Sequence, residues 1–103
     1  MVADKNPPQP ACVLRLYISA AAPLSARAIV NTRLFLEKHL RGRYELQILS
    51  IAEHAAQAAK DEVIAAPTLL KIWPLPIRRF IGDMSDTSKL LDGLGLASER
   101  RGD

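Results

Sequence analysis

A single cysteine, Cys12, excludes an internal disulfide and any Cys-x-x-Cys redox motif. Two histidines, His39 and His54, stand apart from each other and from that thiol, too few to assemble a structural zinc site. Aromatic residues make up 5% of the chain, short of the stacking platform a single-strand nucleic-acid binder needs. No apolar run approaches the roughly 20 residues that cross a bilayer. Residues 1–10 lack the apolar core of a secretory signal, so a cytoplasmic setting is expected. No phosphate-cradling glycine loop and no Gly-x-Ser-x-Gly elbow occur, and neither histidine has a Ser or Cys nucleophile beside it in such a context. Charge of one sign does not dominate either: 14 Lys and Arg face 11 Asp and Glu, a net +3. That mild excess is no evidence for nucleic acid on its own and leaves an acidic protein partner open. No enzymatic activity, cofactor, metal, nucleic acid or membrane partner is expected.

What remains is enough for one domain. Apolar residues make up 49% of 103 residues and charged residues 24%. Residues 1–11, with Pro7, Pro8 and Pro10, read as a flexible leader, 12–97 as the folded domain and 98–103 as a tail. Leu14, Leu16 and Ile18 alternate with Val13, Arg15 and Tyr17, which predicts a strand over Cys12–Ile18 with a second face that is also partly apolar. Pro23 suits the first turn of a helix running to about Arg41 and stopped by Gly42. Its core stripe is Ala28, Ile29, Thr32, Phe35, Leu36 and Leu40. Val30 and Leu34, with Ala26, project away from that stripe as a candidate partner or self-association surface.

A strand over Tyr44–Ile51 follows, then an alanine-rich helix from Ala52 to about Glu62. Thr68–Trp73 reads as a third strand. Pro74 and Pro76 force an extended turn into a fourth, Ile77–Ile81. Gly82 and Asp83 turn the chain, and Ser85 or Asp86 caps a last helix reaching about Leu96. Turn and cap duty accounts for Asp83 and Asp86 better than a cation loop does. The order βαβαββα is the thioredoxin-like arrangement, with Ala66-Pro67-Thr68 at the corner that commonly holds a cis proline. A thioredoxin nucleophile would sit where the first strand meets the first helix. Here that junction is Ser19-Ala20-Ala21-Ala22-Pro23, without a thiol, and Cys12 lies about 20 Å away at the far end of the strand. Cys12 reads as buried and inert.

The chain resembles the KaiB family of circadian clock proteins. The matching residues are Leu14-Arg15-Leu16-Tyr17-Ile18, Pro23 with Ser25, Arg27 and Ala28, Tyr44-Glu45-Leu46-Gln47-Ile48, and Ala66-Pro67-Thr68-Leu69. Most specific is Pro74-Leu75-Pro76-Ile77-Arg78-Arg79-Phe80-Ile81-Gly82-Asp83-Met84-Ser85-Asp86. The resemblance implies a regulator that binds the ATPase ring of a KaiC-type kinase and phosphatase and modulates its phosphorylation cycle. KaiA, or a KaiB-like sensor domain of a histidine kinase, are the further partners it implies. It also implies two folds: a ground state of order βαββααβ, a homo-oligomer (dimer or tetramer), and the thioredoxin-like monomer that binds KaiC. Pro67, Pro74, Pro76, Gly93 and Gly95 are the candidate fold-switch positions, and the two glycines are expected to weaken the last helix by roughly 1 kcal/mol each. Arg27, Arg78 and Arg79 match basic family positions. Glu62, read as part of the second helix, reverses the charge of the lysine many relatives carry there. Relatives also tend to place polar residues at Val30 and Leu34. The alternative function is a thioredoxin-like stress-response or signalling adaptor outside any oscillator.

Overall fold

The computed structural model describes residues 10–96, and the ends of the expected leader and tail (1–9 and 97–103) lie outside the described residues. Alternating side chains seat Cys12–Ile18 (β1) at the centre of a four-stranded sheet, between Tyr44–Ser50 (β2) on one side and Thr68–Trp73 (β3) on the other, with Arg78–Ile81 (β4) beyond β3. β1 and β2 run parallel, joined by helix Pro23–His39 (α1). β1/β3 and β3/β4 are antiparallel. Helices Ala55–Lys60 (α2) and Thr87–Gly93 (α3) complete the order βαβαββα, the thioredoxin-like arrangement.

Helices cover both faces. Against one face, Leu14, Leu16, Leu69 and Phe80 pack with Phe35 and Leu36 of α1 and Leu90 and Leu91 of α3. On the other, Tyr17 and Leu70 pack with Ala58 of α2, joined by Leu49 and Val63. Burial on both sides explains why β1 carries apolar residues on both faces.

Element ends differ from expectation where local contacts decide them. Ala11, assigned to the leader, already donates its backbone N–H to Arg43 O at 2.6 Å. α1 stops at His39, two residues short of Arg41, and Gly42 at φ +72° serves the turn into β2. α2 begins at Ala55, because the N–H groups of Glu53 and His54 both turn back onto Ser50 O. It ends at Lys60, with Glu62 outside it at φ +59°. Val63 N–H reaches Ala58 O and Glu62 N–H reaches Ala59 O, a Schellman end closed by a non-glycine residue.

α3 shows the same motif with glycine in the special place. Leu96 N–H bonds Leu91 O, Gly95 N–H bonds Asp92 O, and Gly95 sits at φ +77° just past the helix. Gly95 therefore terminates α3 and does not weaken its interior. Gly93 is the last helical residue, and a Cβ there would overlap the Phe80 ring. Both glycines accommodate the thioredoxin-like packing. Asp86 is the N-cap of α3, its carboxylate accepting from Lys89 N–H at 3.1 Å. Asp83 accepts from Ser85 N–H at 3.0 Å, so the two aspartates hold a turn and a cap. Ala66–Pro67, Trp73–Pro74 and Leu75–Pro76 are cis peptides, with Pro67 buried at the corner before β3.

Candidate docking surface

β3 and β4 form a hairpin whose tip is apolar and wet. Trp73, Leu75 and Ile77 are each more than half exposed, as is Ile81 at the far end of β4. β4 is an edge strand. Gly82 N–H points at Pro67 O, so along the antiparallel ladder the backbone groups of Phe80 and Arg78 face β3 while those of Arg79 and Ile81 face outward. Arg78, exposed, shares its register with Lys71 and Leu14 on the α1/α3 side. A groove of about 570 Å³ lies there between β4 and α3, lined by Arg78, Phe80, Lys89, Asp92 and Gly93 among others.

Arg79 lies on the opposite face, and its guanidinium is engaged. Nη1 donates to Glu62 O at 2.9 Å and Nη2 to Asp61 O at 3.3 Å, so Arg79 braces the end of α2 from β4. A cation at a helix C-terminus is favourable by general electrostatics. Arg79 and Glu62, both predicted as partner contacts, thus meet through Glu62's backbone, leaving its exposed carboxylate out of that bond. Arg27 lies elsewhere, on α1, 71% exposed, with Asp83 4.0 Å from its Nη1. Ala26, Val30 and Leu34 are likewise exposed on α1.

Sequence reading missed the polar network under the brace. Tyr17, fully buried, donates its hydroxyl to Asp61 Oδ2 at 2.6 Å, and Arg15 Nη1 donates to the same oxygen at 3.0 Å. Burial first, then the bond to Asp61, pushes the Tyr17 pKa up to about 12. Burial would raise the Asp61 carboxyl, but the hydrogen bonds from Tyr17 and Arg15 outweigh it and hold the group below the usual carboxylate range. Arg15 and Tyr17, two apart on a covered face, were the available signal: buried donors require an acceptor.

The Cys12 thiol is 3% exposed, and burial raises its pKa against the opposing pull of Lys71. At the strand–helix junction Ser25 Oγ accepts from Ser19 N–H at 3.0 Å. Among the described residues no group of three or more His, Cys, Asp or Glu is placed to hold a metal ion, and no helix is long and apolar enough to cross a membrane.

The KaiB domain family model matches residues 15–96. The chain is 41% identical over 91 residues to the circadian clock oscillator protein KaiB of Thermosynechococcus vestitus, covering 88% of this chain and 84% of that one. The protein of the same name from Synechococcus elongatus is 39% identical over 89 residues, 86% and 87% of the two chains. Among solved structures, the N-terminal domain of Synechococcus elongatus SasA superposes with a TM-score of 0.67 at 22% identity over 92% of each chain. Mitochondrial thioredoxin 3 of Saccharomyces cerevisiae gives 0.68 at 14% identity, covering 84% and 79%. At those identities the likeness is one of fold.

Proposed function

This chain belongs to the KaiB family of circadian clock proteins, and we propose that it works as a cytoplasmic, non-enzymatic regulator that docks on the ATPase ring of a KaiC-type kinase and phosphatase. The observation that carries this reading is the thioredoxin-like order itself, the form the family resemblance associates with ring binding. In that form the chain offers an edge strand with an exposed cation, Arg78, beside an apolar hairpin tip. Apolar area supplies affinity and the cation orients the encounter with an acidic surface. Arg27 is a second exposed cation, whereas Arg79 acts through the brace it forms. A KaiA-type protein, or a KaiB-like sensor domain competing for the same ring, would complete the partner set.

Ring binding selects this fold if it contacts the thioredoxin-like state better than the βαββααβ oligomer. The alanines of α2, without the proline many relatives carry near Ala55, and the Schellman glycine at 95 support a larger share of the thioredoxin-like state here than in relatives. Circular dichroism with size-exclusion chromatography of the isolated protein checks that share. A wholly tetrameric sample of ground-state order would refute it.

Co-elution with the KaiC-type ATPase of the same cell, in ATP, tests the docking. Arg78→Glu should weaken it about tenfold, mainly through slower association at low salt. No co-elution of the parent chain would refute the reading.

A further inference from the structure

We propose that the outer face of α1, with the groove beside it, takes an amphipathic helix carrying acidic flanks from a partner protein. Val30 and Leu34, one turn apart, are 55% and 66% exposed, and Ala26 extends the stripe by another turn. Leu34 also forms one wall of a groove of about 550 Å³ whose floor is Phe35, Met84 and Leu91. Asn31, Lys38, His39, Ser85 and Thr87 also line the groove, so the stripe adjoins, along Leu34, a hollow with an apolar floor and polar surroundings, crest and hollow such as an amphipathic helix laid alongside α1 would fill.

The groove is preformed. Asn31 Nδ2 donates to Asp83 O at 2.9 Å, tying the loop after β4 to α1, and Asp83 in turn accepts from Ser85 N–H. Between them Met84 is held at φ +64° with its side chain buried. Such a backbone is unfavourable for a non-glycine residue and persists only where its surroundings over-determine it. A methionine on the floor adapts to the shape of an incoming side chain.

Charge selects the occupant. The exposed charged positions around the stripe are Arg27, Arg33, Glu37, Lys38 and Arg41, and Asp83 lies 4.0 Å from Arg27 Nη1. The acidic residue among them, Glu37, already accepts from the Tyr44 hydroxyl at 2.7 Å and lies 3.7 Å from Arg41. With Glu37 and Asp83 counted against the four cations the face keeps a positive excess, so a second copy laid on it would meet like charge, which disfavours self-association here. A lipid surface would meet the crest but not the hollow, and two medium-sized apolar side chains give little insertion. A helix with an apolar stripe and glutamates on both sides satisfies crest, hollow and flanks together.

The test uses the full chain and a labelled helical peptide of about 18 residues, the length of α1 at 1.5 Å per residue, with leucines at i, i+4 and i+7 and glutamates beside them. Fluorescence anisotropy at low salt should show saturable binding. The same peptide with lysine flanks should bind at least about tenfold more weakly, and 0.5 M salt should narrow the difference. Val30→Ser with Leu34→Ser should lower affinity by about tenfold or more with unchanged circular dichroism, while Leu75→Ser at the hairpin tip should leave it unaltered. Absent binding, equal binding of both peptides, a dimer in light scattering that the double variant dissociates, or co-sedimentation with anionic vesicles that the double variant abolishes would each overturn the proposal. Failure of this proposal leaves the ring-docking reading standing, since that reading is tested on Arg78 and a different partner.

Discussion

At the scale of single residues, Asp61 concentrates more of the fold's polar organisation than any other side chain described. Its carboxylate takes two donors from β1 while its carbonyl takes Arg79 from β4. Replacing it with alanine leaves the Tyr17 hydroxyl buried without an acceptor, so Asp61→Ala should cost about 2–3 kcal/mol in urea unfolding. The pH dependence follows from the two shifts. Asp61's depressed folded pKa stabilises the protein above its unfolded value near 4, and that stability fades as pH falls through the folded value. Tyr17's raised pKa stabilises the protein below about 10 and is lost as pH rises toward about 12. Unfolding free energy against pH should therefore be flat for this pair between those limits and fall at both ends. Asp61→Asn should flatten the acid limb.

At the scale of elements, two helix ends of identical wiring make a matched experiment. α2 closes with Glu62 in the left-handed region and α3 with Gly95. Glu62→Gly should raise stability by up to about 1 kcal/mol, and Gly95→Ala should lower it by about 1 kcal/mol, both read from the urea midpoint. Gly93→Ala gains roughly 1 kcal/mol in helix propensity but forces the Phe80 ring aside, which costs about 1–3 kcal/mol in a packed core. The net should be destabilising by about 1 kcal/mol, and Phe80→Leu should soften the penalty. If Gly93→Ala proves as stable as the parent, the ring has room to move.

These ends also show what local reading of a sequence reaches. β1 and β3 were legible to the residue, since alternation and the bracketing prolines are near-neighbour signals. Alanine content predicted α2 but overran it, because Ser50 O draws two N–H groups away from the helix start. Gly95 looked like a flaw inside α3 because nothing in a one-dimensional pattern marks where a backbone turns left-handed. Asp61, 44 residues from Tyr17, was out of reach of any such pattern. Of the candidate contacts, the exposure of Val30 and Leu34 followed from helical spacing. Arg79's brace depended on strand pairing.

At the scale of the whole molecule, β1, α1 and β2 form one block, and the network at Asp61 stitches the later elements to it from the α2 side while Phe80 does so from the α1/α3 side. Any rearrangement of the second half must break both. Arg79→Met removes one stitch with the aliphatic stem retained. On the proposed exchange with an oligomeric state, it should lower the thioredoxin-like share, seen as an earlier size-exclusion peak, where Arg78→Met should not.

The lone indole of the chain, Trp73, stands half in water at the start of the hairpin tip. Nature has thus left an optical probe at the seam between the strand paired with β1 and the exposed hairpin tip. Its emission needs no dye to tell a dry neighbour from a wet one, and a shift to the blue would register the moment that corner is covered.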